Sequence, residues 1–459
     1  MNPDSFEIFV LEPVRRCIDT FADRNAFCIG GVYYTYRQFG ETIEMHKKVL
    51  EARQEAIIPL EVRDDLETYA TIFACWIEGK AYVPINPNWP ESRKQQITNT
   101  LTQSHNNTLA YILFTSGSTG TPKGVAISRK NVGAFMDSFW KTSIKIDEND
   151  RCLQCFDLTF DVSVQSFLVA LTRGACVYTV PYGQVKYLNV AALIHEHHIT
   201  FGAMAPSMLT YLRPYFDELD ASAFKTCILT AEACPADLIE DWRKCAKNVK
   251  VYDFYGPTEA TIYCTYYKCE QPVLAANGMT SIGKPLANVE AVIVDERGNT
   301  VTAEGEKGEL CVAGDQVTQG YWNNEEKNTE AFLIMNAKRF YRTGDLCFWD
   351  KSGNLMYVGR LDQQVKIQGF RVELAEIEYH ARQHYNNKIR VAAVAFKNEK
   401  KLDEIALFVE KSEEPSDELL AFLKGKMPIY MMPSRIIYHT SFPLNDNDKI
   451  DRNKLKSLL

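Results

Sequence analysis

Long apolar runs, surplus positive charge and paired cysteine spacings are all scarce in this 459-residue chain. No stretch approaches the roughly 20 apolar residues that span a bilayer. The start, Met1-Asn2-Pro3-Asp4-Ser5-Phe6-Glu7, lacks the basic and apolar regions of a signal peptide. Membrane insertion is therefore not expected, and a cytoplasmic location is. The net charge of -8 argues against a nucleic-acid partner, which needs a basic patch or stripe. Thirteen cysteines are scattered without a disulfide framework, and Cys152 and Cys155 form a lone CxxC. With no second pair and no His at ligand spacing, they read as packed thiols rather than a zinc or redox site. His195, Glu196, His197 and His198 look metal-like, yet they end a helical pattern from Val190 to His198 and read as a solvated helix end.

The length exceeds one ordinary core, so two or more domains are expected. Helical and strand patterns alternate through the first three quarters. Examples are the amphipathic run Leu66 to Glu78 before Ala81 to Ile85, and Ala191 to His197 before Thr200 to Met204. Alternation of this kind predicts α/β layers with mostly parallel strands. From about Ser281 the texture turns to short strands and turns, with Asp295 to Asn299 and Asp350 to Asn354 as turn signals. After Arg360 an α+β pattern follows: a helix from about Glu373 to Tyr385, strands at Val391 to Phe396 and Glu404 to Val409, a helix capped by Ser416, and a strand near Arg435 to His439.

Leu113-Phe114-Thr115-Ser116-Gly117-Ser118-Thr119-Gly120-Thr121-Pro122-Lys123-Gly124-Val125 is the most informative stretch. Its glycines let backbone N–H groups approach an anion, Ser116, Ser118, Thr119 and Thr121 offer donors, and Lys123 adds positive charge. That chemistry suits a nucleotide phosphate. The spacing is not the P-loop signature, because Gly124 follows Lys123, nor the dinucleotide fingerprint. Standing alone, the stretch reads first as a flexible Ser/Gly/Thr surface loop.

Further motifs decide between the two. In order they are Tyr82-Val83-Pro84-Ile85-Asn86-Pro87, Tyr255-Gly256-Pro257-Thr258-Glu259, Tyr341-Arg342-Thr343-Gly344-Asp345-Leu346, the run Gly359 to Glu373, and Lys449-Ile450-Asp451-Arg452. Together they resemble the adenylate-forming superfamily of acyl- and aryl-CoA synthetases, luciferases and the amino-acid adenylation domains of nonribosomal peptide synthesis. The resemblance implies an α/β fold: a large N-terminal domain of layered α/β sheets over 1–360, its β-rich subdomain at about 281–360, and a mobile C-terminal α+β lid over 361–459 hinged at Asp362.

The same resemblance implies an AMP-forming ligase that uses ATP and Mg²⁺. Thr115, Ser116, Gly117, Ser118, Thr119, Gly120 and Lys123 would hold the β- and γ-phosphates. Tyr255 would pack on adenine, Asp253 would accept from its amine, Thr258 would bond the α-phosphate and Glu259 would hold Mg²⁺. Asp345 would accept the ribose hydroxyls, with Arg360 adding contacts nearby. Lys449 would offset the two negative charges that meet in the adenylation step. It stands in Asn447-Asp448-Lys449 where the family has Asn-Gly-Lys. After adenylation the lid would withdraw Lys449 and bring Gly369 to the site, leaving room for a pantetheine arm.

By resemblance to amino-acid adenylation domains, Asp161 would pair with the substrate's α-ammonium. A buried carboxylate in such a pocket penalises acids without a cationic group. Val162, Gln165, Ala203, Leu229, Ala231, Phe254, Ile262 and Tyr263 would line the rest. They carry no second charge, so a neutral, small to medium amino acid is expected. Asp161, Val162, Gln165 and Ala231 are similar to pockets that accept proline, Phe254 and Tyr263 depart from them, and alanine, including its D-form, stays open. Ala231-Glu232-Ala233 stands where glycines are common. The acceptor is expected to be the phosphopantetheine arm of a separate carrier protein. A CoA ligase and a nucleotide-binding regulatory protein without catalysis are the alternatives.

Overall fold

In the computed structural model, residues 4–101, 108–117, 122–184, 186–362, 364–412, 416–444 and 450–459 are described. The chain divides into two compact units. The first comprises Met1–Pro87, Leu101–Leu113 and Gly124–Leu361, and the second comprises Asn88–Thr100, Phe114–Lys123 and Asp362–Leu459. The second thus takes in two early segments besides the C-terminal run that begins at Asp362.

The first unit is layered α/β. Its largest sheet runs in the order Lys284–Pro285, Thr265–Lys268, Lys250–Tyr255, Thr226–Thr230, Phe201–Met204, Arg151–Gln154, Cys176–Thr179, Asn25–Ile29, Val32–Thr35. The six strands from Lys250–Tyr255 to Asn25–Ile29 are parallel, and the outer ones antiparallel. Parallel neighbours need crossover helices, which cover both faces and bury the strands. Phe27, Leu153, Val177, Phe201, Ile228 and Val251 are accordingly in the core. A four-stranded sheet of Ile57–Glu61, Ala81–Ile85, Leu109–Thr115 and Lys123–Ser128 forms a further layer. Thr35 and Gln38 close a reciprocal capping box on the helix Tyr36–Glu51, and Ser128 and Asn131 do so on Arg129–Trp140.

Between Val289 and Arg360 the strands Thr300–Val301, Val289–Val294, Gly308–Gly314, Lys338–Trp349, Phe332–Met335 and Leu355–Arg360 form an antiparallel sheet. Asp295 and Asp350 each close an Asx turn, accepting from Asn299 N and Asn354 N at 2.8 and 2.7 Å.

The second unit contains a hairpin, Gln364–Ile367 with Phe370–Glu373, then the helix Leu374–His384 and a sheet of Val391–Lys397, Asp403–Val409 and Arg435–Tyr438. Gln368 and Gly369 make the two-residue hairpin turn at φ +51° and +83°, the left-handed pair that matches strand twist. Ile377, Leu407, Leu419, Leu423 and Met431 centre its core.

Three local expectations need correction. The helix Leu66–Ile77 is buried nearly all round rather than amphipathic, because it packs within the core on several sides. Ser416 precedes the helix Asp417–Lys424, but it has helical φ and ψ and its hydroxyl makes no cap bond; an N-cap side chain reaches the N–H of N2 or N3 from an extended backbone. The helix before Phe201–Met204 is longer than its apolar pattern, running Lys186–His197, and ends where His198 turns to φ +49°.

Candidate active site

Asp161 opens the helix Asp161–Leu171, every residue of which is buried. Its Oδ2 is buried without a hydrogen-bond partner among the described residues. Burial pushes the carboxyl up to about 6; the Thr258 hydroxyl lowers it, the Glu259 charge raises it, and the amides of Val162 and Ile262 lower it. Four residues on, and so on the same helix face, Gln165 accepts from the Tyr263 hydroxyl at 3.3 Å through Oε1, while its Nε2 is buried and unpartnered among the described residues. Tyr263 packs on Phe254 with ring centroids 4.9 Å apart, and Phe254 on Tyr266 at 5.4 Å. Tyr263 stands close enough to Asp161 to feel its charge. Val162, Ala203 and Ile262 are buried as well.

Leu229 lies on a different sheet face from Ala203 and Phe254. Strand register pairs Leu229 with Asp253 and Thr230 with Phe254, and successive residues of a strand face opposite sides. Leu229 and Asp253 therefore share one face, and Ala203, Ile228, Thr230 and Phe254 the other. Thr230, missed in the sequence, stands close enough to Tyr263 to act on its phenol; the period-2 pattern of Thr226–Thr230 was the signal.

Ala231 sits at φ +70°, where a non-glycine residue costs about 1–2 kcal/mol. Next to it the Glu232 carboxylate accepts from Ser207 N at 2.8 Å and from the Ser207 hydroxyl at 2.9 Å. The helix Pro206–Leu212 thereby gains an anionic partner in its first turn.

The motif Tyr255 to Glu259 leaves the strand Lys250–Tyr255 and enters a 3₁₀ turn, Thr258–Ala260. Glu259 is fully buried, and its Oε1 accepts from the Tyr321 hydroxyl at 2.6 Å. Thr261 and Ile262 follow at φ +55° and +72°. Two consecutive β-branched residues in the left-handed region are strained, a condition that persists only where surroundings hold it. The Tyr255 hydroxyl donates to Asp345 Oδ2, and Arg360 Nη1 donates to Asp345 Oδ1 at 2.8 Å. Arg360 also reaches Thr343 O at 3.1 Å. Tyr255, Asp345 and Arg360 are thus one cluster, and Asp253 is buried in the neighbouring stretch of the same strand as Tyr255.

In the second unit, Ser116 Oγ donates to Arg371 O and accepts from Glu373 N, both at 3.0 Å. Gly117 N donates to Glu376 Oε2 at 2.9 Å, and Arg93 Nη1 holds Glu376 Oε1 at 2.7 Å. Lys123 Nζ lies 3.6 Å from Glu373 Oε1, and Thr115 Oγ1 reaches Lys123 O at 3.5 Å. Of the donors expected to serve phosphate oxygens, Gly117 N and Lys123 are here engaged by carboxylates, and the Ser116 and Thr115 hydroxyls by main-chain carbonyls. Asp362 accepts from Gln364 N at 3.0 Å. Ser118, Thr119, Gly120 and Lys449 lie outside the described residues.

Among the described residues no group of three His, Cys, Asp or Glu side chains is arranged to hold a metal ion. A cation at Glu259 would therefore draw its other ligands from nucleotide oxygens and water, which suits Mg²⁺. Cys152 and Cys155 are buried, and burial pushes both thiols up, Cys155 to about 12. His195 accepts from Asp220 N at 3.1 Å. No described helix is long and apolar enough to cross a membrane.

Over 94% of its length the chain is 31% identical to a polypeptide of the linear gramicidin synthase of Brevibacillus parabrevis, of which it spans 9%. It is 28% identical over 88% of its length to gramicidin S synthase 1 of Brevibacillus brevis, spanning 40% of that protein. The chain thus spans well under half of each. Among solved structures, its fold matches a Vibrio cholerae adenylation domain in complex with glycyl-adenosine-5'-phosphate at a TM-score of 0.89 and 23% identity, covering 100% of this chain and 98% of that one. It also matches an NRPS protein containing adenylation and PCP domains at 0.84 and 20% identity, covering 97% of this chain and 83% of that one. Residues 98–322, which hold the Ser/Gly/Thr loop and the Tyr255 to Glu259 motif, match the AMP-binding enzyme profile, and this segment of the chain belongs to the AMP-binding enzyme family.

Proposed function

We propose that this chain uses ATP to adenylate a neutral, small to medium amino acid such as proline or alanine, releasing pyrophosphate, and passes the aminoacyl group to the phosphopantetheine thiol of a carrier protein. The observation that carries this reading is the Asp161 carboxylate, buried with Oδ2 unpartnered among the described residues. An ionised carboxylate so placed is costly unless a cation answers it, and the α-ammonium of an amino acid is such a cation. Fatty and aryl acids bring none. The aromatic wall of Phe254 and Tyr263 supports a short side chain.

In this reading Asp345 and Arg360 bind the ribose side of the nucleotide, and Tyr255 and Asp253 the adenine. Gly117 and Lys123 exchange their carboxylate partners, and Ser116 the Arg371 carbonyl, for phosphate oxygens. Thr258 bonds the α-phosphate, and Glu259, a buried oxygen ligand, holds Mg²⁺. The cation neutralises phosphate charge when bound. Lys449 offsets the charge of the attacking carboxylate and the α-phosphate, lowering the barrier to their approach. The similarity to synthetases of gramicidin and to a protein carrying adenylation and PCP domains supports the carrier-bound acceptor.

The test is ATP/pyrophosphate exchange across the proteinogenic L-amino acids plus D-alanine, with Asp161→Ala and Lys449→Ala beside wild type. Exchange with a neutral amino acid, lost in both variants, is expected. Exchange driven by fatty or aryl acids, with none for any amino acid, would overturn the reading.

A further inference from the structure

Gln316 is fully buried in the segment that follows the strand Gly308–Gly314. Its Nε2 donates to Tyr263 O at 2.7 Å and stands 3.5 Å from Ala260 O. Its own backbone carbonyl accepts from Thr261 Oγ1 at 2.5 Å. The side chain therefore spans the two carbonyls that flank the left-handed pair Thr261 and Ile262. Two residues on, Thr318 N donates to Glu259 O at 2.8 Å, and Tyr321 holds the Glu259 carboxylate. One short segment thus fastens the whole Glu259 to Tyr263 turn. The turn is also pressed from below, since a Cβ on Gly256 would lie 2.4 Å from Ile262 O.

A left-handed Thr–Ile pair does not persist unaided; its neighbours must remove the alternatives. Carbonyls of such a turn are buried, and each needs a donor. Gln316 supplies that donor from a side chain held rigid in the core. We infer that Gln316 is a positioning residue, whose amide clamps the Thr261–Ile262 turn and so sets where Ile262 and Tyr263 stand beside Asp161. This rests on the adenylation reading for its effect on substrate, while the clamp itself is a property of the chain. The nearby Ile262 amide acts on Asp161 in the direction expected of such an arrangement. Among the described residues the Gln316 amide bonds only Ala260 O and Tyr263 O, while Glu259 is held separately by Thr318 N and the Tyr321 hydroxyl, so loss of the amide falls on the amino acid rather than on the nucleotide.

Gln316→Met keeps length and volume but removes the donor. Kinetics use the member of the amino-acid panel with the fastest wild-type exchange. The expected result is a KM for that amino acid raised tenfold or more, with KM for ATP within twofold of wild type. Amide hydrogen exchange in the peptide covering 256–264 should quicken at least tenfold, while the peptides of the central parallel strands keep their protection. An amino-acid KM within twofold of wild type, or KM values for both substrates raised alike with protection lost throughout, would overturn the inference. A wild type silent with every amino acid would remove the adenylation reading alone. Hydrogen exchange then still decides the clamp, and unchanged exchange over 256–264 would sink it.

Discussion

Tyr255 and Asp345 are joined by a hydrogen bond from the phenol to one carboxylate oxygen, while Arg360 holds the other. All three groups are largely shielded from water, so the Asp345 carboxylate relies on Tyr255 and Arg360 for its donors. Tyr255→Phe leaves a buried acceptor unanswered, at a cost of about 1–3 kcal/mol in the ligand-free protein. A ribose hydroxyl can supply the missing donor. Saturating AMP should therefore raise the melting temperature of Tyr255→Phe by more than it raises that of wild type. Equal shifts would show that the ribose does not meet Asp345.

Asp161 makes stability and activity respond to pH in opposite directions. Its folded pKa, about 6, lies above the ordinary 3.8, so the protonated form favours folding. That contribution is complete below about 3.8 and is lost as pH rises through about 6. Asp161→Asn should consequently be more stable than wild type at pH 7, by about 1–3 kcal/mol, and equal to it near pH 3.5, as read by denaturant unfolding. Wild-type kcat/KM for the amino acid should fall below about pH 6, where the carboxylate proposed to meet the ammonium is lost. The neighbouring Glu259 charge and the phenols of Tyr82, Tyr111 and Tyr263 face this group too. Asp64, pushed to about 6 in a separate buried cluster with Tyr69 and Thr179, titrates in the same window. The difference between wild type and Asp161→Asn isolates Asp161.

Ala231 stands where glycine would be unstrained. Ala231→Gly relieves the penalty of φ +70° and adds back some unfolded-chain entropy, for a net gain of about 0.5–1 kcal/mol. Urea unfolding should show a higher midpoint with an unchanged slope.

Arg93 and Glu376 form a fully buried ion pair in the second unit. Arg93 Nε and Nη2 have no further partner among the described residues. Removing the acid alone, as in Glu376→Met, strands a buried cation and should cost about 3–5 kcal/mol, whereas Arg93→Met with Glu376→Met should recover most of that loss. Chemical denaturation of the two single variants and the double one closes the cycle. Additive losses would mean that the pair is not coupled.

Much of the layered α/β fold was legible because its signals are local. Alternating patterns marked Leu66–Ile77 and Ala81–Ile85, and the Asp295 and Asp350 turns announced themselves by residue type. The Tyr255 to Glu259 and Tyr341 to Leu346 motifs were equally plain. What escaped the sequence depends on distance or on backbone conformation. Arg93 and Glu376 are 283 positions apart, and nothing in either neighbourhood names the other. The left-handed Thr261 and Ile262 contradict their residue types, and Gln316 acts on main-chain carbonyls, which every residue possesses. Leu229 was grouped with Phe254 by resemblance, and only the register of neighbouring strands separates their faces.

The carboxylates that hold Gly117 and Lys123 change what an arriving anion experiences. At Gly117 and Lys123 the charge is already balanced, since Glu376 is matched by Arg93 and Glu373 by Lys123. Any anion settling there trades places with a charge of its own sign. A small ion carrying one or two charges gains little from such an exchange, while a polyphosphate sets several oxygens against the displaced pair at once. If these groups meet phosphate as proposed, a polyphosphate should hold its place at Gly117 and Lys123 where free phosphate does not.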